Sequence, residues 1–183
     1  MVSAEQLAAA QNGDQDALVA ILRAIEHDLY KTAYYMLGNE QDARDATQDA
    51  LIRICRNITK YETKATFRTW TKTIVTNLCI DQIRRRKEAV SIEASELIVR
   101  LPEQQQVEHQ VMLHQMKRDV AAAVNQLDEQ YRAVIVLRYV NQCSYEEISE
   151  TLGLPLNTVK SNLFRAKTKL QRLLKDYEKG GGF

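Results

Sequence analysis

Asn157, Ser161, Phe164, Arg165 and Thr168 recur at offsets of four, seven, eight and eleven, a spacing that puts their side chains on one face of a helix. Val159, Leu163, Ala166, Leu170 and Leu173 share the opposite face. An apolar back and a front of amide, hydroxyl, aromatic and guanidinium groups suit the major groove of duplex DNA. There the base edges offer hydrogen-bond partners, and thymine offers a methyl group. Arg165 is placed to donate two parallel bonds to guanine, and Lys160, Lys167 and Lys169 stand where phosphates would pass.

Two further clusters carry charge rather than base-reading groups. Arg84, Arg85, Arg86 and Lys87 form a basic block, while Glu40, Asp42, Asp45 and Asp49 form an acidic patch with only Arg44 among them. The net charge is +1, so the total does not announce a nucleic-acid ligand. Its segregation does point to one polyanionic and one cationic partner. No nucleophile–base pair, metal-ligand set or phosphate-cradling glycine loop is legible, so neither an enzyme nor a cofactor is expected. His109 and His114 are five apart and face different helix sides, which does not suit a metal site. Cys55, Cys79 and Cys143 are widely spaced and odd in number, so each is expected as a small buried residue in a reducing compartment. No basic-then-apolar leader and no membrane-length apolar run is present, which leads us to expect a cytoplasmic protein without membrane insertion.

The elements that must position these groups are helices. Glycine and proline number only 6 and 2 in 183 residues, too few to punctuate a strand-rich fold. Leu18, Ile21, Leu22, Ile25, Leu29, Ala33 and Met36 mark a helix from Ala17 to Leu37, closed by Gly38-Asn39. A second runs from Glu40 to about Ile58, with Ala43, Ala46, Ala50, Leu51 and Ile54 inward. After a polar stretch, a third spans about Phe67 to Lys87 and buries Phe67, Trp70, Ile74, Leu78 and Ile83; Trp70 is expected in the core. Glutamine- and glutamate-rich residues with Pro102 follow and are read as a flexible linker. Helices resume near Met116: Val120, Val124 and Leu127 mark one, and Tyr131, Ile135 and Tyr139 the next. Ser144 and Glu147 make a capping box for a third, and Gly153-Leu154-Pro155 breaks the chain before the helix described first. Two short helices around a glycine-containing turn are the helix-turn-helix pattern. The expected fold is all-α, with domains at 1–88 and 118–177, a linker at 89–117 and a disordered tail at 178–183.

These residues resemble a known family at both ends of the chain. Asp42-Ala43-Arg44-Asp45-Ala46-Thr47-Gln48-Asp49 is similar to the acidic segment of conserved region two of the sigma-70 family. Phe67-Arg68-Thr69-Trp70 and Asn77-Leu78-Cys79-Ile80-Asp81-Gln82-Ile83-Arg84-Arg85-Arg86-Lys87 resemble a later part of that region. Tyr145-Glu146-Glu147-Ile148 and Thr158-Val159-Lys160-Ser161-Asn162-Leu163-Phe164-Arg165-Ala166 resemble region four. Without a third domain between them, the resemblance is to the minimal, extracytoplasmic-function (ECF, group 4) branch. It implies that Asp42, Asp45, Gln48 and Asp49 dock on the clamp helices of the largest RNA polymerase subunit. The flap of the second-largest subunit is a further implied partner. Tyr61, Lys64 and Asn77 would serve opening of the −10 promoter element and capture of a flipped base, with Arg84, Arg85, Arg86 and Lys87 on backbone phosphates. Asn157, Thr158, Lys160, Ser161, Phe164, Arg165, Lys167 and Thr168 would contact the −35 element. An anti-sigma factor is implied as a restraining partner.

Three positions depart from the family pattern. Asn162 stands where arginine is usual, which would alter a phosphate or base contact; Thr71 replaces leucine, which would loosen packing; Asp128 replaces proline at a helix start, where aspartate caps well. A conventional helix-turn-helix regulator, dimeric on inverted half-sites, is the alternative reading, and a helical adaptor with merely solubilising basic faces is a third.

Overall fold

The computed structural model describes residues 2–62, 65–92 and 110–180, and the regular structure among them is entirely helical. Helix α1 (Ala4–Gln11) precedes every helix that the apolar periodicity reveals. Its one sequence signal is a capping box: Ser3 Oγ accepts from the Gln6 N–H at 3.1 Å, and Gln6 Oε1 accepts from the Ser3 N–H at 3.0 Å. Ala10 buries against Ile21 and Ile58.

Helix α2 (Gln15–Leu37) starts at Asp14, whose carboxylate accepts from the Ala17 N–H, and ends at Gly38 with φ +82°. A side chain at position 38 would meet two obstacles. The left-handed backbone disfavours it, and its Cβ would lie 2.6 Å from the Asn125 side chain. Asn39 then caps α3 (Glu40–Asn57), accepting from the Asp42 N–H at 2.8 Å. Ala43, Ala46, Ala50 and Ile54 are buried as the period requires, and the three alanines let α2 approach closely. Cys55, one residue past Ile54, is rotated about 100° round the helix and is exposed, against the expectation of burial. A 3₁₀ turn, Ile58–Lys60, closes this segment.

Helix α4 spans Phe67–Ile92 and is covered on two sides. The expected stripe of Phe67, Trp70, Ile74 and Leu78 is only half-buried, whereas Thr69, Thr71, Lys72, Val75, Thr76, Cys79 and Ile83 are buried. A single apolar stripe was the wrong pattern for a helix packed on both flanks. Thr71 is not loosely packed: it is buried, and its hydroxyl donates to the Arg68 carbonyl at 3.0 Å. Trp70 belongs to the core as expected, with ring centroids 5.2 Å from Tyr61 and 5.6 Å from Phe67.

The expected linker is bounded by more helix than the periodicity indicates, because α4 runs to Ile92 and α5 (Gln110–Asn125) begins before Met116. Residues 93–109, with Pro102 and His109, lie outside the described residues, as do Thr63 and Lys64. Helix α6 (Glu129–Ile135) passes into a π turn, Val136–Val140. There the Asn141 N–H donates to the Val136 carbonyl at 3.1 Å, five residues back. The wider turn brings Val136 and Leu137 inward and leaves Tyr139 59% exposed, contrary to its expected burial. Helices α7 (Tyr145–Leu152) and α8 (Leu156–Gly180) follow. Residues 178–180 of the expected tail are therefore helical, and 181–183 lie outside the described residues.

Helices α1–α4 and α5–α8 do not stand apart. One apolar core runs through both, from Leu29, Ala33 and Met36 past Val75, Cys79 and Ile83 to Val124, Leu137, Ile148 and Val159. Polar groups are buried where the two units meet. Arg132 donates to the Met36 carbonyl at 2.7 Å, to Asn125 Oδ1 at 2.9 Å and to the Leu127 carbonyl at 3.1 Å. Thr32 donates to Asn141 Oδ1 at 3.0 Å, and Lys72 Nζ donates to the Asn141 carbonyl at 2.8 Å. Burial makes the Arg132 charge costly and pulls its pKa down. Arg132 Nε and Asn141 Nδ2 are buried without a hydrogen-bond partner. Each orphan costs about 1–3 kcal/mol, so this contact is less favourable than an apolar core of equal area.

Candidate polymerase and nucleic-acid interfaces

The helix-turn-helix forms as its sequence dictates. Ser144 Oγ accepts from the Glu147 N–H at 3.1 Å, and Glu147 Oε2 accepts from the Ser144 N–H at 2.7 Å, which starts α7. Gly153, with φ +63°, ends α7, and its N–H donates to the Ser149 carbonyl. Val159, Leu163 and Ala166 turn inward on α8. Asn157, Lys160, Ser161, Phe164, Arg165 and Lys167 are exposed, and Thr158 and Thr168 are half-buried. Phe164 is 74% exposed and packs on no aromatic neighbour among the described residues. The Ser161 hydroxyl donates to the Thr158 carbonyl at 3.0 Å and that of Thr168 to the Phe164 carbonyl at 3.1 Å. Both protons are thus spent on the helix backbone, and the oxygens are left as acceptors.

Four residues of this half are engaged within the chain. Asn162 is buried and lines the cleft against Ile80 and Arg84, so it is not a phosphate or base ligand in this arrangement. Thr158 lines the same cleft. Lys169 donates to Asp128 Oδ2 at 2.8 Å and lies 4.7 Å from the Tyr131 ring centre, which takes it out of the free cations. Lys169 holds the Asp128 carboxyl below its ordinary pKa. That carboxylate makes no side-chain cap on α6, the role that its position suggested.

The basic block at the end of α4 is also engaged. Arg84 Nε lies 2.9 Å and Lys87 Nζ 3.8 Å from the Glu129 carboxylate of α6. Arg86 is paired with Asp42. Arg85 is exposed beside Asp45, Asp49, Asp81 and Arg53. In the acidic patch, Asp45, Gln48 and Asp49 are exposed, whereas Asp42 is held by Arg86, by Gln82 Nε2 at 3.2 Å and by Asn39. The Arg86 guanidinium, ahead of the other partners, lowers the Asp42 pKa despite partial burial. Asp42 is therefore a structural tie from α3 to α4 rather than a free docking charge.

Asn77 is exposed on α4 as a base-capturing group would be. Tyr61 is not: its ring is buried between Phe67 and Trp70, burial raises its pKa, and its hydroxyl donates to the Ala65 carbonyl at 2.7 Å. A ring so enclosed shapes the following loop and offers no stacking face. Gln11 is the residue missed. Its Nε2 donates to the carbonyls of Ile58 and Tyr61, both at 3.0 Å, bracing the chain just before that loop.

Comparisons with known proteins agree with this geometry. Residues 21–89 match the family model described as Sigma-70 region 2, and residues 117–170 match Sigma-70, region 4. The chain is 32% identical to the ECF RNA polymerase sigma factor SigW of Bacillus subtilis (strain 168), covering 96% of this chain and 98% of the relative. Among solved structures it is similar to the sigma factor RpoE of Bartonella quintana in complex with the anti-sigma factor NepR. That match has 25% identity and a TM-score of 0.67 and covers 88% of this chain and 96% of the other. The fold also matches CnrH in complex with the cytosolic domain of CnrY, at 23% identity and a TM-score of 0.72, covering 96% and 99%. The chain belongs to the ECF sigma factors of the sigma-70 family, the subunits that direct RNA polymerase to promoters. The dimeric-regulator alternative loses its ground, because relatives covering 96% and 88% of the chain are sigma factors. No helix among the described residues is long and apolar enough to cross a membrane.

Proposed function

We propose that this chain is a group 4 sigma factor that docks on core RNA polymerase in the cytoplasm through Asp45, Gln48 and Asp49. In this reading it reads the −35 element with the outer face of α8 and opens the −10 element with Asn77 and the loop after Tyr61. The observation that carries this reading is the division of α8. Arg165 and Phe164 stand exposed beside Asn157, Ser161 and Lys160, while Val159, Leu163 and Ala166 fix the back of the helix. Arg165 suits a bidentate pair with guanine, and Phe164 suits a thymine methyl. Arg85, with Arg84, Arg86 and Lys87 once released, supplies phosphate contacts of no sequence content. Docking follows from opposite charge, because Asp45 and Asp49 present carboxylates to a basic helix pair.

Reaching both promoter elements requires the units to part. The elements lie about 25 base pairs apart, or about 85 Å at about 3.4 Å per pair, whereas a packed chain of this length is only about 40 Å across. An anti-sigma factor that favours the packed form would restrain this chain, as the complexes of the similar RpoE and CnrH suggest. The test adds the purified chain to core polymerase on a promoter library. Transcripts with defined starts are expected, and their loss together with core binding when Asp45 and Asp49 are both changed to lysine. Core co-purification that survives this double reversal removes the docking role.

A further inference from the structure

Lys72 of α4 and Cys143, which precedes α7, are both buried and belong to different units of the chain. Lys72 Nζ lies 3.2 Å from Cys143 Sγ, and its other partner is the Asn141 carbonyl. No carboxylate among the described residues forms an ion pair with this amine, so the nitrogen's partners there are one backbone carbonyl and an oxidisable sulfur. We propose that Lys72 and Cys143 form a peroxide-generated covalent N–S link that locks the two units together.

The chemistry balances with hydrogen peroxide as the only co-reactant. The Cys143 sulfur attacks one peroxide oxygen; an S–O bond forms, the O–O bond breaks, and water leaves once the thiol proton is transferred. Sulfur is oxidised by two electrons to a sulfenic acid, and the peroxide is reduced. The Lys72 amine, having released its extra proton, then attacks that sulfur. An S–N bond forms, the S–O bond breaks, and the departing hydroxide takes one of the two amine protons as water, leaving an S–NH link. The sum is thiol, amine and one peroxide giving a sulfenamide and two waters. A dithiol reverses it by attacking sulfur, expelling the amine, and then resolving the mixed disulfide.

Two features gate the step. Burial pushes the Cys143 thiol up in pKa, against the pull of Lys72, so the packed form shields it. Sulfur is therefore oxidised when the units part, and the link closes when they meet again. Lys72 is then fixed over the Asn141–Cys143 turn, with Arg84 and Lys87 held on Glu129. Cys79 is a built-in control: it is buried in the same core, with a pKa pushed up to about 12 by burial alone.

The experiment treats the full chain, with exposed Cys55 changed to serine, with hydrogen peroxide. After denaturing digestion, a linked pair of peptides holding Lys72 and Cys143 is expected, lighter by two hydrogens than their sum and separated by dithiothreitol. The linked peptides must be absent in Lys72→Met and in Cys143→Ala. If either variant does not fold, the peptide map of the parent alone decides. Oxygen adducts on Cys143 without linked peptides overturn the proposal, as does an identical mass loss in Lys72→Met. Core binding and promoter-dependent transcription, the readouts that rest on the sigma assignment, should fall with the linked fraction and return with the dithiol. A linked chain that keeps full activity overturns the locking role and leaves the link itself intact. The mass measurement needs no polymerase, so its failure is distinct from failure of the sigma assignment.

Discussion

The outer face of α8 and the basic end of α4 carry similar cations in opposite states. On α8, Lys160, Arg165 and Lys167 are exposed with no carboxylate paired to them among the described residues. On α4, Arg84 and Lys87 share Glu129, and Arg86 is paired with Asp42. In the proposed reading the first surface meets DNA as folded, whereas Arg84 and Lys87 of the second are occupied by Glu129 while the units are packed. On that reading the proposed duplex-reading face is preformed and part of the proposed melting face is masked. Glu129, which masks Arg84 and Lys87, belongs to the other unit, whereas Asp42 holds Arg86 from within its own.

The largest expected effect breaks the ready surface. Arg165→Ala should cost about 1–3 kcal/mol of promoter discrimination at one −35 position, measured as competition between promoter variants. Unchanged −35 preference would contradict the assignment. Glu129→Gln sharpens the comparison from the other side by releasing Arg84 and Lys87. The slope of log affinity against log salt for nonspecific duplex DNA should steepen by up to about 2, at about 0.9 per phosphate engaged. A slope equal to that of the parent would mean that the pair masks nothing. Gln11→Ala removes two bonds before the −10 loop and should cost about 1–2 kcal/mol of stability at about 1 kcal/mol per bond. Open-complex formation should slow while −35 duplex binding stays unchanged, and equal losses in both would show a merely global defect.

The smallest effect is one of pH. Asp42 has its folded pKa depressed, mainly by Arg86. The unfolded group titrates near about 3.9, so above that value the α3–α4 tie contributes fully to stability. The contribution is lost as the pH falls from there through the lower folded pKa. Asp42→Asn should flatten acid unfolding in that window alone, as followed by helical circular dichroism.

These cases also mark how far the sequence could be read. The two faces of α8 were legible because one helix period separates Val159, Leu163 and Ala166 from Asn157, Ser161 and Arg165, and local capping by Ser144 and Gly153 fixed its start. The partners of the basic block were not, since Glu129 lies 45 positions from Arg84 and no local pattern links them. Tyr61 took its base-capturing role from the family resemblance, yet Phe67 and Trp70 enclose it after the chain turns. Tyr139 was misplaced because a π turn breaks the period used to assign it. Lys72 and Arg132 carry no sequence signal of their own, since burial of an unpaired cation is visible only once the units pack.

Separation of the two units can be measured directly. Fluorophores on Cys55 of α3 and on Glu150→Cys of α7, both exposed positions, report their distance by energy transfer. The free chain should give a single short-distance population that shifts to longer distance when core polymerase and promoter DNA are added together. A distance that stays short while promoter-specific transcripts are made would contradict this account.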